Sequence, residues 1–167
     1  MHTLGTILVH SLPSHVLFDS GATHSFISSQ FVARHRIPCD HMDEEWSITT
    51  GGGSIICSLI CKKSPLMVCD REFEANLIVI KNSAFDVILG MDWLGVAHAT
   101  IDCRNKKVIF RMPDQPEFEF CSGDIQKSAL MMMLEAAEGE VPPIVRDFLD
   151  VFPDELPGLP LVREVEF

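Results

Sequence analysis

Asp19 is the leading candidate for an acid–base residue in this 167-residue sequence, because its carboxyl group comes at the end of an apolar run. The run Val16-Leu17-Phe18 is typical of a buried strand, and Ser20 and Gly21 follow the aspartate. Glycine lets another backbone approach closely at such a turn, and the hydroxyl of Ser20 can hydrogen-bond locally or to a neighbour. Because desolvating an unpaired charge costs several kcal/mol, an aspartate that ends an apolar strand is capped, paired or functional.

β-rich segments surround this turn. Residues 3–10 and 15–19 are predicted to form a hairpin whose turn, residues 11–14, contains a proline. After the aspartate, Ser25 is predicted to cap a helix over residues 26–32 that turns its apolar side chains inward. The carboxylate would then stand between a buried strand and a helix.

Three glycines, Gly51, Gly52 and Gly53, separate two further strand-like stretches, residues 46–49 and 55–60. This pattern indicates a hairpin, which could be a lid over a substrate cleft or an ordinary exposed turn. A phosphate-binding loop is disfavoured, because neither Gly-Lys-Ser/Thr nor a helical pattern follows the glycines.

The rest of the first two thirds is also strand-like, and it includes the buried run that ends in Ile88-Leu89-Gly90. A short helix carrying Trp93 and Leu94 is predicted to follow that glycine. The predicted strands in this part cover residues 64–69, 73–80, 87–89, 100–103 and 107–111. With at least seven short strands and two short helices, the expected fold class is all-β, closed or barrel-like.

Charge divides the chain in two. Residues 1–111 carry 11 acidic and 10 basic side chains, whereas residues 112–167 carry 13 acidic and three basic ones. We therefore predict a body over 1–112, an acidic linker with a short helix over 113–143, and a mostly extended segment over 144–167. Neither part has a basic stripe, so direct binding of nucleic acid is not expected.

The six cysteines are irregularly spaced, in a sequence that opens without a basic, secretory-type segment. They are therefore interpreted as reduced thiols of an intracellular, cytoplasmic protein. Cys57, Cys61 and Cys69 lack the Cys-x2-Cys clusters of zinc sites, so no metal site is predicted. No apolar run reaches the roughly 20 residues that span a bilayer, so no membrane association is expected.

Three blocks of the sequence resemble the retroviral-type aspartic proteases of plant Ty3/Gypsy retrotransposon polyproteins. Asp19-Ser20-Gly21-Ala22 matches the family signature D-[ST]-G-[AST], and Ile88-Leu89-Gly90 matches the second hallmark, which packs under the active-site turn. The longer strings over residues 19–28 and 85–94 extend the likeness. Residues 152–167 resemble the stretch just upstream of the reverse transcriptase in that family.

The resemblance implies a retropepsin-like acid-protease fold and an aspartic endopeptidase that needs no cofactor. Such chemistry uses two carboxylates. Only Asp19 is followed by Ser/Thr-Gly, unlike Asp86, Asp92 and Asp102. The second carboxylate is therefore expected from Asp19 of another copy, in a C2 homodimer that cleaves its own polyprotein.

Roles for neighbouring residues follow from the same resemblance. Ser20 would hydrogen-bond across the dimer, Gly21 would offer its carbonyl to the substrate backbone, and Gly51–Gly53 would form the tip of a flap. Thr23 and His24 stand where many retroviral enzymes carry acidic residues, so substrate contacts are expected to differ there. His24 is interpreted as a surface or capping residue, because the two carboxylates need no histidine.

Other interpretations stay open. The chain could be a catalytically silent, retrotransposon-derived fragment that serves only as a dimerisation module. It could also be an inactive monomer in which Asp19 merely caps a turn.

Overall fold

The computed structural model describes residues 2–50 and 53–122, in which the chain forms ten strands and two short helices. The strands are β1 (His2–Val9), β2 (Leu12–Asp19), β3 (Phe26–Ser28), β4 (Asp40–Thr50), β5 (Gly53–Val68), β6 (Arg71–Ile80), β7 (Val87–Leu89), β8 (Ala99–Asp102), β9 (Lys107–Phe110) and β10 (Phe118–Cys121). The helices are α1 (Ser29–His35) and α2 (Met91–Val96). The predicted all-β class is confirmed. The predicted helix and extended segment of the acidic tail lie outside the described residues.

Seven of these strands form one sheet in the order β1-β2-β7-β3-β6-β5-β4. Strand β1 also pairs with β5, where Val9 lies opposite Leu66, so the sheet closes on itself as the barrel-like prediction requires. Strand β7 is inserted between β2 and β3, parallel to the first and antiparallel to the second. A buried strand with neighbours on both edges explains why its sequence is a continuous apolar run.

One hydrophobic core fills the closed sheet and extends beneath α2 and the strands that follow it. Its largest fully buried side chains come from both sheets: Phe18, Phe110, Phe120, Ile7, Ile27, Leu66, Leu77 and Leu89. Across the part of the chain that the structure describes, no helix is long and apolar enough to cross a bilayer.

The turn between β1 and β2 lies at His10 and Ser11, not at the predicted Pro-containing stretch. Both residues have positive φ, 50° and 61°, as in the two-residue hairpin turns whose twist matches the flanking strands. Pro13 lies within β2, opposite Leu8. The strand accommodates the proline because β7 pairs only with residues 16–18 of β2.

The predicted helix over residues 26–32 begins too early. Phe26 and Ile27 form strand β3, which pairs with β6 on one side and β7 on the other. Ser28, rather than Ser25, caps α1 by accepting a hydrogen bond from Gln30 N at 3.3 Å. Pairing and burial on both sides override the helical spacing of these apolar side chains.

The glycine-centred hairpin is β4–β5, and its second strand is longer than predicted. The segments expected at 55–60 and 64–69 are one strand, with a register shift between Cys61 and Ser64. Lys63 has a φ of 48° inside that irregularity. The bulge bends the strand, so that its first half pairs with β4 and its second half reaches β1.

The last sheet of the described residues has three strands, in the order β10-β9-β8. The predicted hairpin over 100–103 and 107–111 is confirmed as β8–β9. Strand β10 lies within residues 113–143, for which an acidic linker with a short helix and no strand was predicted. The division of the chain into three segments stays a prediction.

Cys39 and Cys61 form a disulfide, so the expectation of reduced thiols is wrong for this pair. The pair extends the β4–β5 register by one position, since Asp40 lies opposite Ile60. The intracellular location inferred from reduced thiols stays a prediction. In the described residues, no group of three or more His, Cys, Asp or Glu side chains is arranged to hold a metal ion.

Candidate active site

Asp19 ends β2 and opens a tight turn that fixes its carboxylate. The Ala22 N–H donates to the Asp19 carbonyl at 3.2 Å, and the Gly21 N–H donates to Asp19 Oδ1 at 2.9 Å. A Cβ added at Gly21 would lie 3.2 Å from that same Oδ1, closer than an ordinary contact. Asp19 is half-buried, whereas Ser20 and Gly21 are exposed. The turn therefore presents an oriented carboxylate at the surface of this chain.

The second hallmark lies directly beside and beneath this turn. Ile88 and Leu89 of β7 pair with Leu17 and Phe18 of β2. A Cβ on Gly90 would lie 2.3 Å from the carbonyl oxygen of His24 and 2.8 Å from that of Ala22. Only glycine allows this approach. The two predicted blocks, whose first residues Asp19 and Ile88 are 69 positions apart in the sequence, therefore meet backbone to backbone.

The start of α2 holds the loop that follows Asp19. Met91 N donates to the carbonyl of Ala22 at 2.8 Å, and Asp92 N donates to that of Thr23 at 3.3 Å. These N–H groups have no partner within the helix itself, because the first turn of a helix leaves its donors unsatisfied. The loop carbonyls satisfy them, which places Ala22 and Thr23 beside the aspartate turn.

Ser25 and Asp92 form a hydrogen-bonded lock between the loop and α2, which was not predicted from the sequence. Ser25 Oγ donates to Asp92 Oδ1 at 2.6 Å and accepts from Gly90 N at 3.0 Å. The same carboxylate also accepts from Ser25 N at 3.2 Å and from Trp93 N at 2.8 Å. Ser25 is fully buried and holds this position instead of capping the next helix. An acidic residue in the first turn of α2 was the one available signal.

His24 connects the active-site loop to the glycine hairpin. Its Nδ1 lies 2.9 Å from Thr23 Oγ1, and its ring meets Trp46 of β4 edge-on at 5.1 Å between centroids. His24 is half-buried and Trp46 is exposed. The loop after Asp19 and the first strand of the hairpin are therefore in direct contact.

The predicted flap tip is only partly within the described residues. Gly53 opens β5 opposite Thr50, and its φ of 121° is a conformation that other residues rarely adopt. Nothing lies within 4 Å of a Cβ placed there, so this residue faces open space. Gly51 and Gly52 lie outside the described residues, and the flap role of the three glycines stays a prediction.

A small apolar cluster links the active-site loop to the hairpin. Its buried members are Phe26, Cys57, Ile78 and Ile80, and Ala22, Met42, Ile48, Ile55, Ile60 and Ile88 pack against them. Burial raises the pKa of the Cys57 thiol, which keeps it neutral in this setting. Apolar packing thus joins the loop after Asp19 to the hairpin.

The two aspartates that flank the second hallmark are engaged away from Asp19. Asp86 Oδ2 accepts from the backbone N–H of His15, near the other end of β2, at 2.8 Å. Asp92 is held by Ser25 as described above. Neither carboxylate is placed to serve as a second acid–base group beside Asp19.

Comparison with known proteins shows the family to which this chain belongs. Residues 2–116 match the family model described as retroviral aspartyl protease. The fold is similar to the retroviral protease-like domain of Ddi1 from Leishmania major, with a TM-score of 0.52 and 17% identity over 75% of this chain and 95% of that one. EIAV protease complexed with the inhibitor HBY-793 also matches, with a TM-score of 0.48 and 20% identity over 61% of this chain and 93% of that one. The family model covers well over half of the sequence, and the chain therefore belongs to the retroviral aspartyl protease family.

Proposed function

We propose that this protein is an aspartic-type endopeptidase that works as a C2 homodimer, with Asp19 of each chain in one shared site. The observation that carries the proposal is the Asp19 turn. It orients one carboxylate through Gly21 N and is braced from below by Gly90. The remaining aspartates near the second hallmark have other partners, so the second carboxylate is assigned to another copy of the chain.

Two carboxylates in contact divide the work of peptide hydrolysis. Like charges at close range cannot both ionise, so the pair holds one proton between them. The ionised member removes a proton from a water molecule, which attacks the peptide carbonyl carbon. The protonated member gives its proton to the carbonyl oxygen, which forms a tetrahedral diol. As the C–N bond breaks, the carboxyl that took the proton from water gives it to the leaving amine, and the diol returns one proton to the other carboxylate. Apparent pKa values of such a site belong to the pair.

Neighbouring residues take supporting roles in this proposal. Ser20 hydrogen-bonds across the two-fold axis, and the Gly21 carbonyl accepts a hydrogen bond from the substrate backbone. The β4–β5 hairpin, with Gly51–Gly53 at its tip, closes over the bound peptide and excludes water. Thr23 and His24 lie on the loop after Asp19, at positions where many retroviral enzymes carry acidic residues, and their contacts with the substrate differ accordingly.

The substrate we propose is a polypeptide, and specifically the polyprotein of a plant Ty3/Gypsy-type retrotransposon. The support is the likeness of residues 19–28, 85–94 and 152–167 to such polyproteins. The proposal includes a preference for apolar substrate side chains beside the scissile bond, because Ala22 and Ile88 near the turn are apolar and only half-buried.

The test is cleavage profiling of the full chain against a pool of denatured-protein peptides, read by mass spectrometry. Wild type is expected to produce new termini, and Asp19→Asn is expected to produce none while its sedimentation as a dimer is unchanged. Asp86→Asn is the matched control, because it neutralises an aspartate that lies off the turn and keeps an acceptor for His15 N. Cleavage retained in Asp19→Asn would refute the mechanism. A wild-type dimer that cleaves nothing would favour the silent dimerisation module instead.

A further inference from the structure

Phe120 of β10 lies directly on the backbone of Gly5 in β1. A Cβ at Gly5 would be 2.1 Å from Phe120 Cζ and 2.3 Å from Cε1, so the ring occupies the space that any other side chain would need. Gly5 is not among the residues with positive φ, and a turn does not explain the glycine. The close approach of the ring does. Phe120 is only 1% exposed, although residues 113–117 before it are exposed.

The same ring reaches the end of the catalytic strand. Its centroid is 5.3 Å from that of Phe18, the residue immediately before Asp19. Phe18 in turn lies 6.1 Å from Trp93 on α2, next to the residue that locks Ser25. Phe120 therefore supports the strand that delivers the carboxylate, and through it the helix that braces the loop.

Strand β10 is held against the body by more than its backbone ladder. Lys107 Nζ lies 2.6 Å from Glu119 Oε1, and Arg111 Nε lies 2.7 Å from Glu117 Oε2. Exposed ion pairs of this kind contribute little. The stronger anchors are Phe120 and Phe118, whose ring stacks on Phe110 at 4.6 Å.

We propose that Phe120 is a positioning residue for Asp19, acting through Phe18, and that β10 is a working part of the protease unit. The inference rests on the proposed function where it concerns turnover. It also extends that unit past residue 116, where the match to the family model ends. A ring wedged between Gly5 and Phe18 fixes the end of β2, and the orientation of the Asp19 carboxylate depends on that end.

The test compares Phe120→Leu with Phe118→Leu in the full chain. Phe118 is the matched control because it lies two residues earlier on the same strand. Its ring contacts Phe110, Phe73 and Arg71 rather than Phe18. At protein concentrations that keep the dimer formed, we expect kcat to fall about tenfold in Phe120→Leu with KM within about twofold, since small misplacements of a reacting group can cost on the order of 100-fold. Phe118→Leu is expected to keep kcat within about twofold of wild type.

A second variant checks the packing itself. Adding Gly5→Ala to Phe120→Leu refills part of the vacated space and is expected to recover several-fold of the lost kcat. Gly5→Ala alone is expected to lower kcat, because its methyl group meets the intact ring.

Amide hydrogen exchange by NMR gives a readout that needs no activity. The Gly21 and Ala22 amides, which donate to Asp19, should exchange about tenfold faster in Phe120→Leu than in Phe118→Leu, as expected for a locally opened segment. Equal exchange in the two variants would overturn the proposal, whether or not the wild type cleaves peptides. Unchanged kcat in Phe120→Leu of an active wild type would overturn it as well. A wild type without activity but with the expected exchange difference would refute the proposed function and leave the positioning of the turn supported.

Discussion

Replacing Gly90 by alanine adds one methyl group at the point where the second hallmark touches the loop after Asp19 of the same chain. The backbone of Gly90 has a φ of −94°, so its conformation does not require glycine. The contact does, because the new Cβ would lie 2.3 Å from the carbonyl oxygen of His24. An ordinary carbon–oxygen contact is about 3.3 Å or longer, so the loop or α2 must move by about 1 Å.

Such a movement breaks hydrogen bonds as well as packing. Five hydrogen bonds join the loop to Gly90 and the helix after it, and the Asp92 carboxylate accepts two of them from Ser25. Backbone N–H groups donate the other three: Met91 N to Ala22 O, Asp92 N to Thr23 O, and Gly90 N to Ser25 Oγ. Losing two of them costs about 2 kcal/mol, and overpacking adds about 1–3 kcal/mol. The free energy of unfolding should therefore fall by about 3–5 kcal/mol, which corresponds to a decrease in Tm of about 10–20 °C.

The assay is thermal and urea unfolding followed by circular dichroism, with Gly95→Ala as the control. Gly95 lies on the same helix, and nothing is within 4 Å of a Cβ placed there. Its replacement should leave Tm unchanged or raise it by a few degrees, because alanine favours a helix over glycine by up to about 1 kcal/mol. If Gly90→Ala melts within about 3 °C of wild type, the close approach described for this residue is refuted.

Two further predictions concern single side chains near the site and at the β1–β2 turn. Ser25→Ala should lower the free energy of unfolding by about 1–3 kcal/mol and reduce kcat more than it raises KM, because Asp92 loses its hydroxyl donor. Ser25→Thr keeps the hydroxyl and should recover most of the stability and most of kcat. Equal losses in the two variants would contradict the role of the Ser25–Asp92 hydrogen bond. Burial lowers the pKa of His10 below its usual 6.5, so the unfolded chain takes up a proton first and stability should fall as the pH drops below 6.5. His10→Asn, which tolerates the positive φ of the turn, should remove that acid-side loss in urea titrations at about pH 7.5 and 5.5. An unchanged loss in His10→Asn would refute the assignment.

The meeting of the two hallmark blocks could be predicted through the resemblance to retroviral-type aspartic proteases, in which the second hallmark packs under the active-site turn. Asp19-Ser20-Gly21 and Ile88-Leu89-Gly90 each end an apolar run in glycine. Parallel pairing of β2 with β7 brings those ends together. The sequence could not reveal the bonds between Ser25 and Asp92, which are 67 residues apart and have no shared local pattern.

Short strands were the other source of error. Phe26 and Ile27 fit a helix as well as a strand over so few residues, and pairing on both edges decides the outcome. Strand β10 carries alternating apolar and acidic residues, Phe118-Glu119-Phe120, which is a strand signal. The acidic composition of the surrounding segment obscured it. The glycine at position 5, which the ring of Phe120 requires, has no local explanation in the sequence.

The central claim is that one active site uses Asp19 from two chains, and a mixing experiment tests it most directly. Wild type and Asp19→Asn are unfolded together in equal amounts, refolded to random dimers, and assayed for peptide cleavage at fixed total protein. If each site needs both carboxylates, only the wild-type homodimers cleave, and activity should be about one quarter of that of wild type alone. Activity of about one half would mean that each chain carries a complete site, and it would contradict the account.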